Sequence, residues 1–160
     1  MLNYTNAITE EKSYSGLQMK EIKPVMKLVI RGKKREFLSA IGKSLNLLLP
    51  TEANTSSRSD KLTALWLSPD EWMIYSNEIL NSESNEYETE NLLNKNISKT
   101  NLGAVTDVTD QFVLINMKGD KIFDLFETGS PFNFNDFRNK EGSVTQTILA
   151  KIDVIIHNQN

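Results

Sequence analysis

The sequence predicts an α+β protein in which mixed sheets are covered by helices. Three observations lead there. Short apolar runs with strand-like alternation recur along the chain, and segments with apolar residues at helical spacing lie between them. No internal repeat or low-complexity linker divides the 160 residues, and 39% of them are hydrophobic, enough for one sizeable core. The expected organisation is a flexible polar arm over residues 1–20, which lacks periodicity, followed by a single domain over residues 21–160.

The first regular segment is "EIKPVMKLVIRG". Val25, Lys27 and Val29 alternate with Met26, Leu28 and Ile30, so a strand apolar on most of both faces is expected, with Gly32 ending it. In "KKREFLSAIGKSLNLLLP", Phe37, Leu38, Ile41 and Leu45 recur at helical spacing, and Pro50 closes the segment. Gly42 costs this helix about 1 kcal/mol, which packing can absorb. "TEANTSSRSD" reads as a polar loop. "KLTALWL" then puts Leu62, Ala64 and Trp66 on one face of a strand and Thr63, Leu65 and Leu67 on the other. "WMIYS" follows across Ser68-Pro69-Asp70-Glu71, with Pro69 supplying the fixed φ of a tight turn, so the pair reads as a hairpin.

"NSESNEYETENLLNKNISK" carries Tyr87, Leu93 and Ile97 on one side of a short helix, acidic at its start and basic at its end as the helix dipole prefers. "GAVTDVTDQFVLINMKG" reads as two strands meeting near Thr109–Asp110. "DKIFDLFETG" is a helix with Ile122, Phe123, Leu125 and Phe126 on its apolar face and Gly129 at its end. After the loop "SPFNFNDFRNKEG", "VTQTILAK" and "DVIIHN" form a last pair of strands. The first six elements have the order of a ferredoxin-like split β-α-β unit, and the last four form a second, partial β-α-β-β unit.

Composition excludes several classes. A net charge of −3 gives no electrostatic case for nucleic acid or for an anionic membrane. The absence of cysteine removes disulfides, thiol nucleophiles, thiolate zinc sites and iron–sulfur clusters. No apolar run approaches the roughly 18 residues that span a bilayer. The start "MLNYTNAITEEKSYSG" has neither the basic end nor the apolar core of a signal peptide, so the cytoplasm is the expected compartment.

Catalytic chemistry finds few residues. His157 is the single histidine, near the end of an apolar strand, where a surface or capping role is expected. "IRGKK" and "AIGKS" lack the first glycine of a phosphate-binding loop, and "AIGKS" falls inside the predicted helix. Asp107, Asp110 and Asp120 do not have calcium-loop spacing; Asp110 reads as a turn residue and Asp120 as a helix cap. Asp70 and Glu71 sit side by side between two tryptophans, as an acid pair in a pocket would. At a turn tip, however, they are solvated, and a general acid needs its pKa raised by burial. Trp66 and Trp72 on the flanking strands pack against a core or a partner.

Several blocks together carry a resemblance. "LVIRG", "LPTEANT", "LWLSPDEW", "VTDVTDQ", "SPF" and "TQTILAKIDVIIH" occur in the order seen in the sarcosine oxidase gamma subunit family, over about residues 22 to 157. "VTDVTDQFVLINMKG" before a helix is also similar to the folate-binding domain of aminomethyltransferases, a related fold. Ala53 stands where the family commonly has a second proline. The resemblance implies a non-catalytic gamma subunit of heterotetrameric sarcosine oxidase, which demethylates sarcosine oxidatively to glycine. The co-products are hydrogen peroxide and formaldehyde or methylenetetrahydrofolate. It implies alpha, beta and delta subunits as partners, chiefly alpha, with FAD, FMN, NAD, zinc and tetrahydrofolate belonging to those subunits. No position matches a folate-binding carboxylate. A stand-alone folate- or pterin-binding module is the alternative that the shared fold implies.

The segment "SPFNFNDF" bears on docking. Phe132, Phe134 and Phe137 stand close together between polar groups, and each ring can bury about 150–250 Å². They either fold under the preceding helix as core or, with Trp66 and Trp72, anchor a partner.

Overall fold

The computed structural model describes residues 5–8, 10–78 and 86–159. Its centre is a five-stranded antiparallel sheet in the order β4-β5-β6-β3-β7. The strands are β3 (Lys27–Arg31), β4 (Ser56–Arg58), β5 (Leu62–Ser68), β6 (Glu71–Ser76) and β7 (Ala104–Asp107). Without the edge strand β4, this is the sheet order of a split β-α-β unit, with α1 (Arg35–Leu45) following β3 and α2 (Glu88–Leu93) preceding β7. The alternation in the sequence sorts residues between the faces. Leu28, Ile30, Leu62, Ala64, Trp72 and Ile74 face the helices, joined by Phe37 and Ile41 of α1 and by Leu93 and Ile97. Leu65, Met73, Val29 and Leu67 face the other way. Burial on both faces explains why these strands read as nearly continuous apolar runs.

Both helices of this unit end as their residues dictate. Asn46 adopts the left-handed conformation (φ 49°) that stops α1. α2 runs on into a π-helical turn over Asn94–Ser98, which keeps Ile97 under the sheet beside Leu93. The ring of Phe37 is held between two glycines. A Cβ on Gly32 would meet it at 2.5 Å, and one on Gly103 would meet the Arg31 carbonyl at 2.2 Å, so only glycine fits.

The second unit differs from expectation. Its elements are β8 (Leu114–Lys118), α3 (Ile122–Gly129), β9 (Val144–Leu149) and β10 (Ile152–His157), in the expected order. They do not form one sheet. β9 and β10 pair only with each other, whereas β8 pairs with a strand from the amino-terminal segment. That strand is β2 (Leu17–Ile22), itself paired with β1 (Lys12–Tyr14), giving the order β1-β2-β8. The arm expected over residues 1–20 is therefore structured from Lys12 onward; residues 1–4 and 9 lie outside the described residues. Gly16, at φ 79°, makes the turn between β1 and β2. The polar loop expected after Pro50 likewise contains β4, whose hydroxyl-rich "SSR" carries no apolar signal.

α3 joins the two sheets. Lys121 N–H donates to the Gly16 carbonyl at 3.0 Å beside its start, and Ala150 N–H donates to the Gly129 carbonyl at 2.9 Å at its end. Phe126, Phe134 and Phe137 form a separate small core there, against Met117 of β8, Leu149 of β9 and Ile156 of β10. The opposite face of the β9–β10 hairpin, through Val144 and Ile155, closes over the central sheet.

Candidate functional site

The hairpin tip is as expected: Ser68 and Glu71 pair across Pro69–Asp70. Ser68 Oγ donates to Asp70 Oδ1 at 3.0 Å, and Lys33 Nζ lies 3.5 Å from Oδ2. The Ser68 hydrogen bond, with help from Lys33 and Arg31, holds the Asp70 carboxyl below the usual range. It is a stabilised anion, the opposite of a general acid. The Asp70 carbonyl accepts from Gly32 N–H at 3.0 Å, tying the tip to the end of β3.

The tryptophans diverge. They are directly opposite in the β5–β6 ladder. Trp72 is buried, donates from Nε1 to the Pro50 carbonyl at 2.8 Å, and lies 5.9 Å from the Phe37 ring. It is a core residue and has no free face for a partner. Trp66 is half-buried at the margin of the same core. The phenylalanine segment resolves the same way. Phe134 is fully buried and Phe137 nearly so, with Phe132 half-buried beside them, 4.9 Å from Phe134 between ring centroids. Spacing alone did not separate a patch from a core; the return of Phe134 under α3 and β9 does. An exposed aromatic patch at this segment is therefore not formed.

The aspartates do not gather. Asp107 accepts from Thr109 N–H at 2.8 Å, shaping the turn after β7. Asp120 stands beside Gly16 in the other sheet, and Lys121 rather than Asp120 occupies the cap position of α3. Among the described residues, no group of three His, Asp or Glu is placed to hold a metal ion.

A residue with no local signal is more unusual. Lys27 is 3% exposed, with Nζ donating to the Val25 carbonyl at 2.9 Å. Burial lowers its pKa, while Asp107 and Asp110 oppose the shift. Its backbone is clamped too: Lys27 N–H donates to Thr109 Oγ1 at 3.0 Å, and Val108 N–H donates to its carbonyl at 2.9 Å. Nearby, burial raises the pKa of Tyr87, whose hydroxyl meets Thr109, and that of Glu90.

His157 is neither a surface nor a capping residue. It is half-buried between β10, β4 and β6, with Nε2 2.9 Å from Ser56 Oγ and Nδ1 3.1 Å from the Tyr75 hydroxyl. Ser56 donates its one hydroxyl proton to the Gly142 carbonyl at 2.8 Å, so it must accept from Nε2–H. Tyr75 then donates to Nδ1 and accepts from Gln159 Nε2–H at 2.9 Å. Every partner is satisfied with a neutral ring, and burial, followed by the Arg58 charge, lowers the His157 pKa to about 4. Ser, His and Tyr are adjacent, yet the serine proton points away from the base. The set is a clasp for the carboxyl-terminal strand, not a nucleophile.

A protein-family model for the sarcosine oxidase gamma subunit family matches residues 31–160. The chain belongs to that family. No curated protein matches it in sequence. Among solved structures, this family member superposes on a chain of the heterotetrameric sarcosine oxidase from Corynebacterium sp. U-96 in complex with pyrrole 2-carboxylate. The TM-score is 0.77 at 17% identity, covering 90% of this chain and 71% of that one. Identity that low speaks to the fold, and the fold is the α+β architecture read from the sequence. The family match spans both units, from the last residue of β3 to the end of the chain.

Proposed function

We propose that this chain is the gamma subunit of a heterotetrameric sarcosine oxidase and supports assembly without making or breaking bonds itself. The family match over residues 31–160 carries the reading. The wiring of the side chains supports it. The Ser56 proton is committed to a carbonyl, the Asp70 carboxylate is held ionised, and the His157 ring is held neutral by burial. In this reading alpha, beta and delta subunits are the partners, alpha chiefly, and carry FAD, FMN, NAD, zinc and tetrahydrofolate. The complex works in the cytoplasm; no described helix is long and apolar enough to cross a membrane.

The test is co-expression of all four subunits with and without this chain. The full set is expected to co-purify and to release peroxide on addition of sarcosine, while omission of the chain lowers the yield of assembled enzyme. The purified chain alone is expected to turn over no sarcosine. Oxidation of sarcosine by the lone chain, or undiminished assembly without it, would overturn the proposal.

A further inference from the structure

The charge of the chain is unevenly placed. Residues 31–43 hold five of its 18 lysines and arginines and one of its 21 acids, a balance of +4 in a chain of −3, so the remainder carries −7. The five are Arg31 at the end of β3, Lys33 and Lys34 ahead of α1, and Arg35 and Lys43 on it, and all are exposed. Arg31 and Lys33 already serve the Asp70 carboxylate. Among the described residues, Lys34, Arg35 and Lys43 have no ion-pair partner.

Two of these three work against the fold. The start of a helix is its positive end, where carboxylates stabilise and cations do not. Lys34 holds the cap position of α1 without a side-chain hydrogen bond, where serine or aspartate would bond a free amide, and Arg35 follows in the first turn. Lys43, in the last turn, suits the dipole. The helix is nevertheless held rigidly, because Phe37 and Ile41 beneath it are fully buried. Arg35, Ser39 and Lys43 recur every fourth residue along one line of α1 and, with Glu36 and Ala40, border an open hollow of about 410 Å³. At 1.5 Å of rise per residue, Arg35 and Lys43 are about 12 Å apart along the axis. The Ser39 hydroxyl between them has no hydrogen-bond partner among the described residues.

We propose that this face of α1 is an electrostatic docking surface for an acidic patch on a partner subunit. Carboxylates of the partner meet Lys34, Arg35 and Lys43, and the Ser39 hydroxyl donates between the last two. The −7 of the remainder selects this occupant. A long polyanion or an anionic membrane extends past the patch and is repelled, whereas a local acidic patch on a folded partner meets only the cations. The misplaced Lys34 and Arg35 lose some helix stability in exchange for complementarity.

This rests on the reading of the chain as a subunit, so the experiment uses the four co-expressed subunits. A carbodiimide, which joins an amine directly to a carboxylate, is expected to couple Lys34 or Lys43 to aspartates or glutamates of one partner. Binding of the chain to the other subunits is expected to weaken roughly tenfold or more between about 50 and about 500 mM salt. The double variant Lys34→Glu, Lys43→Glu is expected to weaken it roughly a hundredfold. Lys34→Ser is expected to move two readouts in opposite directions. The isolated chain melts higher, because its cap is corrected, while association weakens roughly three- to tenfold. Assembly indifferent to salt and to these variants overturns the surface and leaves the subunit reading intact. Carbodiimide coupling of Lys34 or Lys43 to a second copy of this chain, or capture of a DNA duplex that the double variant loses, gives the face another occupant and overturns it too. If the four subunits yield no complex, the subunit reading falls and the surface with it.

Discussion

His157 holds its proton on Nε2, because Ser56 has no proton left to offer it. Protonation of Nδ1 would turn the Tyr75 hydroxyl from donor to acceptor and take this partner from the phenolic proton, while burial penalises the charged ring. The sign of the pH effect follows. An unfolded chain takes up this proton near pH 6.5, whereas the folded chain resists until about 4. The contribution is therefore complete above pH 6.5, declines as pH falls toward 4 and is flat below, with a span on the order of 2–3 kcal/mol. Urea midpoints from pH 8 to pH 4 are expected to fall more steeply for the wild type than for His157→Gln, whose difference isolates this residue from the acid-sensitive Asp70. The role was not legible in the sequence. A lone histidine has no local pattern, and its partners Ser56 and Tyr75 lie 101 and 82 residues away in sequence. By contrast the solvated turn at Asp70 was legible, because proline and the flanking alternation are local signals.

At the scale of elements, the turn between β9 and β10 stands out. Ala150 and Lys151 connect the strands with φ of 49° and 73°. Two successive left-handed residues define the hairpin turn that Asn-Gly normally supplies, and each ordinary side chain there costs roughly 1 kcal/mol. The Ala150 amide is anchored on the Gly129 carbonyl, so the packing of α3 offsets the strain. Lys151→Gly is expected to raise stability by about 1 kcal/mol, read as a higher thermal midpoint with unchanged secondary structure. The sequence announces the two strands through "VTQTIL" and "DVIIH", but no residue of the turn declares its type. β4 and β2 were missed for a related reason. "SSR" is a polar edge strand and "LQMKEI" a mixed strand between β1 and β8, and the strand character of both comes from the neighbours they pair with.

For the whole molecule, the two units differ in how they close. The first buries both faces of a continuous sheet, so its alternation, helices and hairpin could be read directly. The second depends on partners distant in sequence, and element order alone does not say which strands pair. Its core is small and rests on a few rings. Phe134→Ala is expected to destabilise the isolated chain by about 3–5 kcal/mol, seen as a large drop in thermal midpoint. If the ring instead served chiefly in docking, the melting temperature would hold while co-purification with the partners failed. The same spacing of Phe132, Phe134 and Phe137 serves either purpose, so only the position of α3 over them decides.

The pairing of β2 with β8 has a consequence during synthesis. Gln18 bonds opposite Lys118, so the first strand leaves the ribosome a hundred residues ahead of its mate. At roughly 5–20 residues per second, it waits about 5–20 s while the middle of the chain folds beside it. Lys20 and Glu21 within that strand keep the waiting segment from recruiting another chain.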